Sequence, residues 1–290
     1  MTAIRRRSTL IGAAAALVAL TLSACGQSAT DASASASATT AACDKASLAT
    51  VASGVLTVGT DKPAYEPWFK NDNPASGEGY EAAVAYAVAK QLGFTKDEVK
   101  WTVAPFSSVI TPGDKSFDFD INQVSITDER KQAVDFSSGY YDVKQAIITV
   151  KGSKIAGAKS IADLKGAKLG AQIGTTSYKV ITDIIQPTQE PGAFDTNDVA
   201  KQALANGQID GLVVDLPTAF YITAAELKDG LIVGQFASGG SGEQFGLVLT
   251  KDSKLTKCVS AAVDALRADG TLADLERQWL SQVVSAPVLQ

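Results

Sequence analysis

The stretch from Phe117 to Tyr141 reads FDFDINQVSITDERKQAVDFSSGYY, and its period changes twice. Apolar residues alternate from Phe117 to Ile126, which is the spacing of a strand. Thr127-Asp128-Glu129-Arg130 then breaks that period in the manner of a helix start, and a second strand-like run follows from Val134. A turn at a strand end with Thr127 as N-cap leaves backbone N–H groups of the first helical turn without partners in the helix. Arg130 can project its planar five-donor fork beside them. Together these groups suit a small carboxylate. A capped surface helix with Arg130 in a solvated ion pair has the same spacing, so spacing alone leaves both readings open.

On either side of this stretch the chain alternates strand and helix. Val55-Leu56-Thr57-Val58 is a short strand ending in Gly59-Thr60-Asp61, and an Ala-rich helix from Gly79 to Leu92 is stopped by Gly93. A strand from Trp101 to Ala104 and a short helix from Phe106 to Ile110 follow. The pattern restarts with a strand from Lys168 to Ile173 that ends in Gly174-Thr175-Thr176, then a helix from Val199 to Ala205 and a strand from Ile209 to Val214 ending at Asp215. Such alternation predicts an α/β sheet in each half. Ligands of open α/β sheets sit beyond the strand C-termini, so two halves facing each other predict one cleft. Gln145–Val150 and Phe245–Thr250 are apolar extended segments at the edges of the second half and are the expected hinge strands.

The first residues form a targeting segment: Arg5, Arg6 and Arg7, then an apolar run from Leu10 to Leu20, then Leu22-Ser23-Ala24-Cys25, a bacterial lipobox. Residues 1–24 are expected to be cleaved and Cys25 lipidated, placing the protein on the extracytoplasmic face of the cell membrane; a plain secretory signal is the alternative. Residues 25–42, almost all Ser, Ala, Thr and Gln, read as a disordered tether. The signal carries three of the 26 Lys and Arg and none of the 31 Asp and Glu, which leaves 23 basic against 31 acidic residues, net −8. That balance, with no basic stripe, argues against nucleic acid. The chain has no histidine, which excludes Ser-His-Asp and Cys-His nucleophiles and the usual zinc sites. No metal or cofactor is expected. Cys43 and Cys258 are an even pair in an exported protein and predict a disulfide, two buried free thiols being the alternative.

Ser125-Ile126-Thr127-Asp128-Glu129-Arg130, followed by Val134-Asp135-Phe136-Ser137 and Tyr140-Tyr141, resembles the extracytoplasmic solute-binding proteins of amino-acid ABC transporters. The resemblance runs from Val55 to about Val284. It implies a type II periplasmic-binding-protein-like fold of two lobes joined by two hinge strands, with the ligand in the interlobe cleft. Residues 43–145 and 249–290 would form lobe 1 and residues 146–248 lobe 2, with the helix pair in Ala265–Trp279 closing on lobe 1. It further implies a monomeric receptor that hands an amino acid to an ABC permease. Carried over residue by residue, Arg130 clamps the ligand carboxylate, helped by Ser125 and Thr127 and, from the opposite lobe, by Thr175 and Thr176. Asp215 pairs with the α-ammonium, and Tyr65 and Trp68 supply aromatic walls, unless they are simply core.

Asp61 contacts the ligand side chain or caps a helix, and the residues do not separate the two. Three departures reshape the expected specificity: Asp120, Asn122 and Gln123 where the family has small or apolar residues, with Gln123 facing the ligand; Glu66 in place of a common proline; and Tyr80-Glu81-Ala82-Ala83 at the first helix, which keeps one acid. Asp61 with Glu66 leans toward a polar or cationic amino acid. Two other readings stand beside the receptor: a prephenate-type dehydratase on the same fold, and the ligand-binding component of a sensor.

Overall fold

The computed structural model describes residues 43–237, 242–281 and 285–290. Cys25 and the tether of residues 25–42 lie outside the described residues. In the first sheet are β1 (Leu56–Thr60), β2 (Val99–Val103), β3 (Phe119–Asp120) and β4 (Val134–Val143). In the second are β5 (Gln145–Val150), β6 (Leu169–Gln172), β7 (Gly192–Phe194), β8 (Gly211–Asp215) and β9 (Gly230–Phe236). The chain then returns to the first with β10 (Glu243–Thr250) and to the second with β11 (Val288–Leu289). The sheets run β2-β1-β3-β10-β4 and β11-β9-β5-β8-β6-β7. Helices α1 (Tyr80–Gln91), α2 (Phe106–Val109), α3 (Arg130–Ala133), α4 (Thr176–Lys179), α5 (Asn197–Ala205), α6 (Leu216–Tyr221), α7 (Thr256–Ala268) and α8 (Thr271–Trp279) cover them. Among the described residues no helix is long and apolar enough to cross a membrane.

The first sheet buries a core in which Trp68 packs edge-on against Tyr80, Tyr141 and Phe245. Ala82, Ala85 and Ala89 let α1 lie close over this core. The helix starts where the chain passes under Trp68: Gly79 has φ 99°, and a Cβ there would stand 2.4 Å from the Trp68 carbonyl. Only glycine fits that approach. The helix pair α7 and α8, split at Asp269-Gly270, packs on the same lobe. The Cys43–Cys258 disulfide, 2.07 Å, ties the start of the described chain to α7.

Three expectations are corrected. The strand expected from Phe117 to Ile126 is a ladder only at Phe119–Asp120, with Ser125 in an isolated bridge to Phe245. The cause is Gln123, whose φ of 48° turns the backbone out of the extended region. The lobe boundaries move as well. All of β10 lies in the first sheet, antiparallel to β4 from Glu243 to Thr250, and Gln145 already belongs to the second, so the lobes are joined at Lys144 and between Phe236 and Glu243. Expected hinge strands are therefore sheet members, because their apolar faces are buried against neighbouring strands. Finally, the C-terminus leaves lobe 1: Val288 and Leu289 pair parallel to β9, and the Gln235 side chain donates to the Ala286 carbonyl at 2.8 Å. Leu289 fills the space beside Gly234, which explains why the chain crosses back.

The disulfide spans 215 residues of sequence. A bridge over so long a loop restricts the unfolded chain, so the Cys43→Ser/Cys258→Ser double variant should lose about 2–5 kcal/mol of stability. Urea denaturation measures this, and an unchanged midpoint would show that the bridge does not secure the fold.

Candidate functional site

Arg130 begins α3 at the floor of the cleft and is 8% exposed. The Thr127 hydroxyl caps the turn, accepting the Arg130 backbone N–H at 3.1 Å, which fixes where the side chain leaves the helix. Nη1 donates to the Ser125 carbonyl at 2.7 Å in its own lobe. Nη2 donates to the Gly174 carbonyl at 2.9 Å in the other. The guanidinium carbon lies 5.4 Å from the centre of the Phe106 ring, within cation–π range. Burial lowers its pKa, and the negative charges of Glu243, Asp215 and Glu129 oppose that. It stays a cation, with its charge unmatched by a direct carboxylate bond among the described residues.

Opposite Arg130, at the C-terminal end of β8, Asp215 accepts a bond from Gln145 Nε2 at 2.7 Å. The same nitrogen lies 3.3 Å from each carboxylate oxygen of Glu243 and 3.4 Å from Thr176 Oγ1. Ser177 Oγ donates to Gln145 Oε1 at 2.6 Å and holds the amide in this orientation. Ser125 Oγ donates to Glu243 and lies 3.3 Å from Thr176 Oγ1, so lobe 1 meets lobe 2 at this point. Burial first, and then the Glu243 charge, push the Asp215 carboxyl up to about 8. Cavities of about 280 and 250 Å³ flank Thr176, one lined by Gln145 and Glu243, the other by Arg130 and Gly174.

Of the expected site residues, the structure brings Ser125, Arg130, Thr176 and Asp215 together. The hydroxyls of Thr127 and Thr175 serve their own helix starts, Thr175 accepting from Tyr178 N and donating to the Gln172 carbonyl. Asp61 caps α2: it accepts from Phe106 N at 3.4 Å as well as from Lys62 N. Tyr65 faces Thr196 and Asp198 of lobe 2, and burial pushes its hydroxyl up to about 12. Trp68 is core rather than wall: its ring is 0% exposed, and only the indole N–H reaches out, to Thr218 Oγ1 at 2.9 Å in lobe 2. Gln123 turns its side chain onto Glu81, which also accepts the Gln123 backbone N–H at 2.8 Å and the Tyr140 hydroxyl. Glu66 accepts from Asn71 N and so completes a local turn.

Sequence reasoning missed Gln145 and Glu243. Each is the first residue after a crossover between the lobes, and no local pattern marks them. The same reasoning counted Asp120 and Glu81 among the departures that reshape specificity, and the structure places both in the interior of lobe 1. Asp120 is 0% exposed with neither carboxylate oxygen bonded, its space made by the missing Cβ of Gly59. Burial, then the charges of Glu81 and Asp61, hold it well above the usual carboxylate range. Burial likewise raises Glu81 to about 7. The Asn122 side-chain nitrogen is buried and unbonded beside this group in sequence.

Residues 56–282 match the model of the bacterial extracellular solute-binding proteins, family 3. A probable histidine-binding protein of Campylobacter jejuni is 32% identical over 74% of this chain and 80% of its own. The ABC transporter glutamine-binding protein GlnH of Bacillus subtilis is 32% identical over 72% of this chain and 76% of its own. Among solved structures, an ancestral arginine-binding protein bound to glutamine superposes with a TM-score of 0.65 at 32% identity, covering 78% of this chain and 97% of that one.

The raised carboxyls fix a sign for stability against pH. From about 4 to about 8 the native state holds a proton on Asp215 that the unfolded chain releases, so stability falls as pH rises through that window. Glu81 acts in the same direction up to about 7. Asp215→Asn should flatten the slope, by on the order of a few kcal/mol between pH 4 and 8. Denaturant unfolding at a series of pH values reads this directly, and parallel slopes for the two proteins would refute the burial of that carboxyl.

Proposed function

The chain belongs to the bacterial extracellular solute-binding proteins, family 3, and from that membership we propose that it captures an amino acid between its lobes and delivers it to an ABC permease. The reading is carried by one observation: a buried guanidinium on lobe 1 facing the Asp215 carboxyl of lobe 2, with a polar network between them. A cation and an acid group at that placement suit the carboxylate and ammonium of one zwitterion, the Asp215 carboxyl ionising as the ammonium meets it. A ligand touching both lobes at once binds the closed state better than the open one, which is what drives closure.

The favoured ligand is polar or cationic. The charges of Glu243, Asp215 and Glu129 act on Arg130, and lobe 1 carries a further group of acids, Asp61, Glu81 and Asp120, whose charges act on one another. After the ligand's carboxylate meets Arg130 and its ammonium meets Asp215, the acids of lobe 1 remain, and a basic or amide side chain suits them best. The relatives named for histidine, glutamine and arginine agree with this class. The receptor acts as a monomer on the extracytoplasmic face, held to the membrane by a lipidated Cys25 through the tether of residues 25–42.

A thermal-shift screen of the purified protein against the proteinogenic amino acids tests the reading. Ligand at 100 times its Kd adds about 2.7 kcal/mol to stability, enough to move the midpoint by several degrees. Hits confined to polar and basic amino acids are expected; a screen without any hit would overturn the assignment.

A further inference from the structure

Glu243 sits where no expectation placed a ligand group. It is the first residue of β10, just after the chain crosses back to lobe 1, and its carboxylate accepts the Ser125 hydroxyl of that lobe. Gln145 is the first residue after the other crossover, and its amide nitrogen is shared between Glu243 and Asp215. Two carboxylates from different strands thus face one neutral donor. The amide supplies two N–H groups, whereas two carboxylates offer about eight acceptor positions, so both acids keep capacity toward the cleft. Arg130 lies near enough for both charges to act on it, yet its bonds to the protein go to carbonyl oxygens.

We propose that Glu243 is a second ammonium-binding carboxylate that works as a pair with Asp215, selecting ligands for their α-ammonium group. An ammonium has three N–H donors pointing in different directions, and one carboxylate cannot meet all of them. Asp215, Glu243 and the Ser125 or Thr176 hydroxyl provide three acceptors from both lobes. The pair also sets specificity by repulsion: a monocarboxylate lacking the ammonium sets its own negative charge beside Glu243 and leaves the raised Asp215 carboxyl without the cation that would ionise it. Rejection of such acids is therefore part of the site's design, not just weaker attraction. The Gln145 amide, fixed by Ser177, bonds to both carboxylates and so sets their separation.

This assignment rests on the amino-acid receptor reading, and the experiment separates the two. The probes are the proteinogenic L-amino acids, titrated singly by calorimetry into the wild-type protein. Whichever binds most tightly is then compared with its analogue bearing hydrogen in place of the α-ammonium, on wild type and on Glu243→Gln. Glutamine still accepts from Ser125 and Gln145, so the crossovers keep their bonds and a melting curve confirms the fold. The expected result is a loss of tenfold or more in affinity for the amino acid, with affinity for the ammonium-free analogue unchanged or increased. An unchanged amino-acid affinity, or an equal loss for both compounds, would overturn the role of Glu243 and leave the receptor reading standing. Absence of binding by every amino acid to wild type would overturn both.

Discussion

A guanidinium held between the Ser125 carbonyl of one lobe and the Gly174 carbonyl of the other is the constraint on which the rest of the molecule depends. A buried cation must be hydrogen-bonded and opposed by negative charge, or its desolvation would expel it. Carbonyl dipoles meet the first requirement here, and the surrounding acids meet the second at a distance. Because one of the two carbonyls belongs to lobe 2, Arg130 reaches full satisfaction only when the lobes are together. Trp68 with Thr218 and Ser125 with Thr176 add interlobe contacts of the same kind, each between neutral groups.

Closure is possible because the chain passes between the sheets at few places. β4 runs straight into β5 through Lys144, and β9 returns to β10 a few residues later in space, so that Gln145 and Glu243 stand side by side at the base of the cleft. The C-terminal segment adds a return to the second sheet, docked by Leu289 and by the Gln235 side chain. Acidic groups dominate the cleft that results. Burial raises the carboxyls of Asp120 and Asp215, which favours their protonated forms and limits repulsion among these acids. A bound cation reverses that preference, so ligand and proton compete for the same carboxyl.

Much of this was legible along the chain. Thr127 as cap, Arg130 on the following turn, the glycine stops after the helices and the strand end at Asp215 are local signals, and local signals survive in sequence. What was not legible depended on long-range placement. Gln145 and Glu243 are 98 residues apart, and only the two crossovers make them neighbours. Phe245–Thr250 reads as an apolar strand in either sheet; its ladder with β4 decides which. Trp68 matches an aromatic wall by motif, but a ring with Tyr80, Tyr141 and Phe245 around it is core. Gln123 was expected to face the ligand, and the positive φ at that residue instead carries its amide onto Glu81.

The central claim is that the Arg130 fork, and not merely a positive charge, joins the two lobes around a carboxylate. Arg130→Lys keeps the charge and removes the planar pair of donors. Calorimetric titration of this variant with the amino acid that most stabilises the wild type tests the claim directly, with a melting curve to confirm folding. The account predicts an affinity loss on the order of a hundredfold, about 2.7 kcal/mol. A lysine variant binding within a few-fold of wild type would contradict it, because a point charge would then suffice.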